Sequence, residues 1–179
     1  FSARKNLLTK TESFTDAIWT VNTVFSTFVQ ATAPDATSTA ATFTGNGTNN
    51  VHLVGQVVNP GGNVISVKAK AGTARYLQIL FDNVANSQVN FDLQLGTFSL
   101  GAGAASAAIT AAEDGYYHCT AVSSGSPANA KFILVTSLSA SRLEANTISG
   151  SINLWHPQVE TGAVATSYQR VNTASDYDT

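Results

Sequence analysis

Apolar and polar residues alternate along most of this chain, and a helical period is nearly absent. In the run Ile65 to Lys70, residues Ile65, Val67 and Ala69 share one face. After the turn-like Ala71-Gly72-Thr73, the pattern resumes at Tyr76. Leu77, Ile79 and Phe81 point one way, and Tyr76, Gln78 and Asp82 point the other. Val89 to Leu95 repeats this, with Val89, Phe91, Leu93 and Leu95 inward and Asn90, Asp92 and Gln94 outward. Ala107 to Ala111 and Tyr116 to Val122 flank Glu113-Asp114-Gly115, a hairpin signal because glycine tolerates the positive φ of a tight turn. Phe132 to Thr136 and Ile152 to Val159 read as later strands. Val24 to Gln30, Ala40 to Thr44 and His52 to Val58 read as earlier ones.

Turn clusters separate these runs: Gly45-Asn46-Gly47, Asn59-Pro60-Gly61-Gly62 and Ser123 to Pro127. Many short strands at a spacing of roughly 8–12 residues indicate an all-β sandwich or barrel. Thr11 to Trp19 departs from the pattern and predicts a short N-terminal helical turn, with Phe14 and Trp19 as anchors on the sandwich. No internal boundary or repeat is visible. Residues 1–171 read as one domain, and the polar stretch 172–179 as an exit linker.

Composition narrows the class. Of 179 residues, 44% are apolar and 11% charged, against a usual charged share of about 25%. Ser, Thr, Asn, Gln and Gly stand where charges usually do. Such a chain can bury a core and is not a charged disordered one. It also lacks the Glu, Lys and Arg of exposed helix faces. A net charge of −2, with Arg4 and Lys5 as the closest basic group, gives no footprint for nucleic acid. No apolar run approaches the roughly 18 residues of a membrane span, and FSARKNLLTK shows no signal-peptide core. One cysteine, Cys119, excludes an intrachain disulfide. The chain starts at Phe1 and has no methionine, which suggests a processed chain or a piece of a longer protein.

An ordered series of short motifs then carries a resemblance. Asn6-Leu7-Leu8, Glu12-Ser13-Phe14 and Ala17-Ile18-Trp19 come first, followed by Ala33-Pro34-Asp35-Ala36-Thr37. Ile65 to Thr73, Asn90-Phe91-Asp92-Leu93 before Gly96-Thr97, and Asp114-Gly115-Tyr116-Tyr117-His118-Cys119 come next. Leu154 to Gly162 and Ala165-Thr166-Ser167-Tyr168 close the series. Together these resemble a domain of bacteriophage tail and capsid-surface proteins. Ala36 stands where that pattern has glycine, Tyr116 where it has tryptophan, and His118 where it has arginine. The match spans residues 6 to 171. It implies an antiparallel jelly-roll β-sandwich, like those of carbohydrate-binding modules, on a tail fibre, tail spike or head fibre. Its place would be the virion surface, and its partners host-surface polysaccharide or other virion proteins. It does not name a ligand.

Candidate chemistry is sparse. A glycosidase needs two opposed carboxylates, and most acids here sit in turns: Asp35, Asp82, Glu113 and Asp114. Asp82 and Asp92 could approach on neighbouring strands, or simply be solvated on a sheet face. The reading is therefore non-enzymatic. His52, His118 and His156 lie on three different strands and match no metal motif. No cofactor is implied, although a structural calcium is compatible, as in similar sandwiches, with its ligands unplaced. Sugar recognition needs an aromatic face and planar hydrogen-bonding groups. Tyr76, Gln78 and Asp82, extended by Asn90, Asp92 and Gln94, supply these types if their strands pair, with Tyr117 or His118 as an addition to the patch. The plain alternative is an ordinary solvated sheet face. Trp19, Trp155 and Cys119 read as core. The Gly101 to Ala108 tract reads as a close-packed bend or as a place where a neighbouring subunit approaches. Three functions stay open: a carbohydrate-binding virion adhesin, a structural decoration or fibre-base domain contacting copies of itself, and a secreted bacterial polysaccharide-binding domain.

Overall fold

A computed structural model describes residues 5–22, 24–59, 61–125 and 129–176. The expected turn residues Pro60 and Pro127, Arg4 of the basic pair, and the end of the tail at 177–179 lie outside the described residues.

The alternating runs become strands of two six-stranded antiparallel sheets packed face to face as a β-sandwich. In chain order the strands are β1 (Thr20–Val21), β2 (Ser26–Ala31), β3 (Ala40–Gly45), β4 (His52–Val57), β5 (Val64–Ala71) and β6 (Tyr76–Phe81). They continue with β7 (Val89–Asp92), β8 (Thr97–Leu100), β9 (Ala104–Ala111), β10 (Tyr117–Ser123), β11 (Asn129–Val135) and β12 (Ser151–Glu160). Sheet one has the order β1-β4-β11-β6-β7-β8, and sheet two the order β2-β3-β12-β5-β10-β9. From β3 to β6 the chain passes to the other sheet at every step, the crossing habit of a jelly roll. Each crossing lets one apolar face close over the other.

The inward set matches the alternation. Leu77, Ile79, Phe81, Val89 and Phe91 from sheet one meet Ile65, Val67, Cys119, Ile152 and Leu154 from sheet two, all buried. At one end Phe14, Trp19, Phe28 and Phe43 pack ring to ring, with successive centroids 5.2–6.1 Å apart. The 11–19 segment that carries two of these rings winds through three successive tight turns. These are closed by Ser13 N–H to Lys10 O, Asp16 N–H to Ser13 O and Trp19 N–H to Asp16 O. Short 3-10 turns fall at Glu113–Gly115 and Ala174–Asp176. The second lies in the expected exit linker. There the Asp176 carboxylate accepts Asn172 and Thr173 N–H and pairs with Arg170.

Two local departures shape the molecular surface. Strand β7 stops at Asp92, short of the predicted Leu95. The Asp92 carboxylate accepts the N–H groups of Gln94 and Leu95 and both Nε and a terminal nitrogen of Arg75, which turns the chain. Strand β12 carries a bulge: Trp155 pairs with Lys68 and Gln158 with Ser66, so His156 and Pro157 oppose the single residue Val67. A proline in a central strand is placed where the ladder is already broken.

Candidate functional site, a polar cleft on the outer face of sheet two

The bulge places His156 on the outer face of sheet two with φ +53°, a conformation that side-chain-bearing residues rarely adopt. Its imidazole stacks between the Trp155 and Tyr168 rings, each with its centroid 3.8 Å away. Alongside, the outward positions of β5 and β10 bring Ser66, Lys68 and His118 to the same face, His118 paired with Lys68 and Thr120 with Ser66. Thr166, Ser167 and Tyr168 form the opposite wall. Together they enclose a cleft of about 410 Å³, within the range of roughly 300–1,000 Å³ found for small-molecule sites. A second cavity of about 260 Å³ adjoins it, floored by Ser106, Ala108, Thr110 and Thr120 and walled by Ala163, Val164 and Ala165. His118 lines both.

The hydrogen bonding is lopsided. Ser66 is 2% exposed and Thr120 8%, yet neither hydroxyl bonds to another described residue. The ring nitrogens of His118 and His156 have no such partner either. Each of these polar atoms opens onto a cavity, so it stays accessible to water or to a ligand from outside the chain. The surroundings, by contrast, are tied down. Lys68 Nζ donates to Glu113 Oε1 at 2.5 Å and sits 4.6 Å from the Trp155 ring. Trp155 Nε1 donates to Thr39 Oγ1, and the Tyr168 hydroxyl meets Thr11 Oγ1 at 2.7 Å. Glu160 is held by the N–H and hydroxyl of Thr166.

These contacts set the charges. Burial, reinforced by the Lys68 ammonium, lowers the His156 pKa to about 4. His118 is lowered too, chiefly by burial and next by Lys68. The hydrogen bond from Lys68 keeps Glu113 below the usual carboxylate range. At neutral pH the cleft therefore presents two uncharged imidazoles, each with one donor and one acceptor nitrogen, and an ammonium already matched by a carboxylate. That is a surface for hydroxyl groups.

Of the residues expected to bind sugar, only His118 lies in this cleft. Tyr76, Gln78, Asn90 and Asp92 do share the outer face of sheet one, and β6 and β7 do pair, Gln78 opposite Asn90. That face is roofed, however, by residues 136–143. Gln78 is fully buried and Asn90 3% exposed, because Gln78 Nε2 donates to Asn90 Oδ1 and Ser141 O while Asn90 Nδ2 donates to Leu138 O and Ala140 O. Asp92 is 1% exposed and committed to Arg75. Asp82, at the far end of β6, accepts Lys131 and Asn129. Tyr76 stays half-buried under the Arg75 guanidinium. Tyr117 points to the side opposite His118 and packs against the core beside Gly96.

The three histidines do not converge. His118 and His156 line the same cleft, while His52 is buried within the sandwich against Phe25 O and Asn146 O. Among the described residues no group of three or more His, Cys, Asp or Glu could hold a metal ion. Ser66 and Tyr168 carry no expectation of binding in the sequence, and His156 carries one only as a metal ligand. The one local signal was the His156-Pro157 pair inside an apolar strand, which marks a bulge. No family model matches the chain, and no curated protein matches it by sequence.

Proposed function

We propose that this chain is a non-enzymatic carbohydrate-binding module whose ligand occupies the cleft of Ser66, His118, His156 and Tyr168. One observation carries the reading: the row of unpartnered hydroxyl and half-buried imidazole groups facing that cleft. A sugar supplies hydroxyls that both donate and accept, which suits such groups. The Trp155–His156–Tyr168 stack fixes one wall, so little side-chain freedom is lost on binding. Binding rather than hydrolysis is supported by the carboxylates at hand, since Glu113 is committed to Lys68 and Glu160 to Thr166. Placement on a phage fibre, spike or head, with host-surface polysaccharide as ligand, rests on the ordered sequence motifs. Weak sites repeated on a virion would gain by multivalency.

The test is a glycan array of bacterial surface polysaccharides probed with wild type, Ser66→Ala and His118→Ala. Wild type should bind, and each variant should bind about tenfold more weakly. Ser66→Ala should fold as stably as wild type, because the hydroxyl makes no hydrogen bond to another described residue. Binding untouched by both changes would remove the cleft from the reading.

A structural decoration or fibre-base domain is a second reading with its own observation. The stretch Leu93 to Ala112, which includes both β8 and β9, carries no charged residue, and it exposes Leu95, Phe98 and Leu100.

A further inference from the structure

The two cavities beside His118 form one groove. Their common wall is the segment 163–168, whose first half bounds the smaller cavity and second half the larger. Their floor is a pair of aligned rows across the sheet. Gln158, Ser66, Thr120 and Ala108 stand in register in one row, and Trp155, Lys68, His118 and Thr110 in the next. Four strands at about 4.8 Å spacing make the floor roughly 14 Å long, longer than a single pyranose ring. Unpartnered polar side chains recur along it, from His156 and Ser66 through His118 to Thr120. At the β9 end the floor is Ser106, Ala108 and Thr110, so nothing bulky closes the groove. Both lysines near it are paired, Lys68 with Glu113 and Lys70 with Asp114, while the buried Glu160 carboxylate is held by Thr166 rather than by a cation.

Building on the carbohydrate reading, we infer that the ligand is an uncharged glycan chain lying across β12, β5, β10 and β9, with His118 shared between two sugar subsites. Ser66, His156 and Tyr168 hold one residue of the chain. Thr120, Thr110 and the 163–165 wall hold the next.

The experiment is calorimetric titration of the whole chain with neutral gluco-, manno-, galacto- and N-acetylglucosamine oligomers, from monosaccharide to hexasaccharide, and with oligogalacturonides. In the series that binds, affinity should tighten by roughly tenfold from one sugar to the length filling both subsites, and then level off. Ala108→Trp, which fills the cavity over β9, should abolish that gain, and Thr120→Val, a smaller change, should reduce it. Equal affinity at every length, a gain that survives both variants, or a preference for the acidic series would overturn the chain inference while leaving a sugar site standing. Failure of every glycan to bind a folded sample would overturn the carbohydrate reading, and this inference with it.

Discussion

His156 concentrates several opposing demands in one side chain. It sits at positive φ, costing on the order of 1 kcal/mol, and it is half-buried between two aromatic rings beside an ammonium group. Burial first, and the Lys68 ammonium next, hold it in the uncharged form. Its folded-state pKa of about 4 lies below the ordinary value of about 6.5 for an unfolded chain. Between those values the unfolded protein binds more protons than the folded one, so stability falls as the pH falls through that window. His118, lowered for the same first reason, adds to the effect. Asp92, kept ionised mainly by its hydrogen bonds from Arg75, loses its contribution only at still lower pH. Glu12, raised by burial, opposes the trend. Melting temperature measured by calorimetry should drop on going from pH about 6.5 to about 4.5, and His156→Gln should flatten the drop. An equally steep drop in that variant would mean that the acid sensitivity originates elsewhere.

At the scale of elements, the strands were largely legible because period-two alternation is a direct record of which face meets the core. Ile65–Lys70, Tyr76–Asp82 and His52–Val58 each lie within a residue of the observed strands. The pattern failed where alternation says nothing. It separates two faces of a sheet but cannot say that an irregular segment covers the outer one, so Gln78 and Asn90 looked solvent-facing although residues 136–143 seal them. The strand β8 was missed because Thr97–Leu100 follows a turn made by the Asp92 side chain, a contact beyond any local pattern. The cleft was illegible for a similar reason: His156 and Tyr168 meet Ser66 only through long-range pairing and a bulge. The roof over sheet one yields a prediction. Asn90→Ala removes two hydrogen bonds to the roof and one from Gln78, and should cost about 3 kcal/mol at roughly 1 kcal/mol each. Hydrogen exchange should show the amides of 138–143 losing protection well before those of β6. Equal protection for both in the variant would show that the roof is held by something other than Asn90.

For the molecule as a whole, the open sheet edges decide how copies can meet. Sheet one ends at β1 and β8, and sheet two at β2 and β9. Strands β8 and β9 follow one another through Gly101–Gly103, so two open edges lie on one flank of the sandwich. Proteins usually guard such edges with lysine, proline or a bulge on the edge strand itself; β8 and β9 carry neither lysine nor proline, and the one interruption is the register shift at Ala105 of β9. Their side chains are instead small and uncharged, or apolar and exposed, as at Phe98 with 38% and Leu100 with 45% exposure. Antiparallel pairing of β9 with its copy about a two-fold axis would satisfy the free backbone groups without placing like charges opposite one another. It would also bring two grooves toward each other, since each ends at β9, and so join the structural reading to the binding one. Sedimentation equilibrium should then show a concentration-dependent dimer, and Leu100→Lys combined with Ala105→Lys should shift the protein to monomer with its fold intact. A wild type that remains monomeric at the highest soluble concentration would sink the self-pairing argument and leave this flank for a different partner to cover.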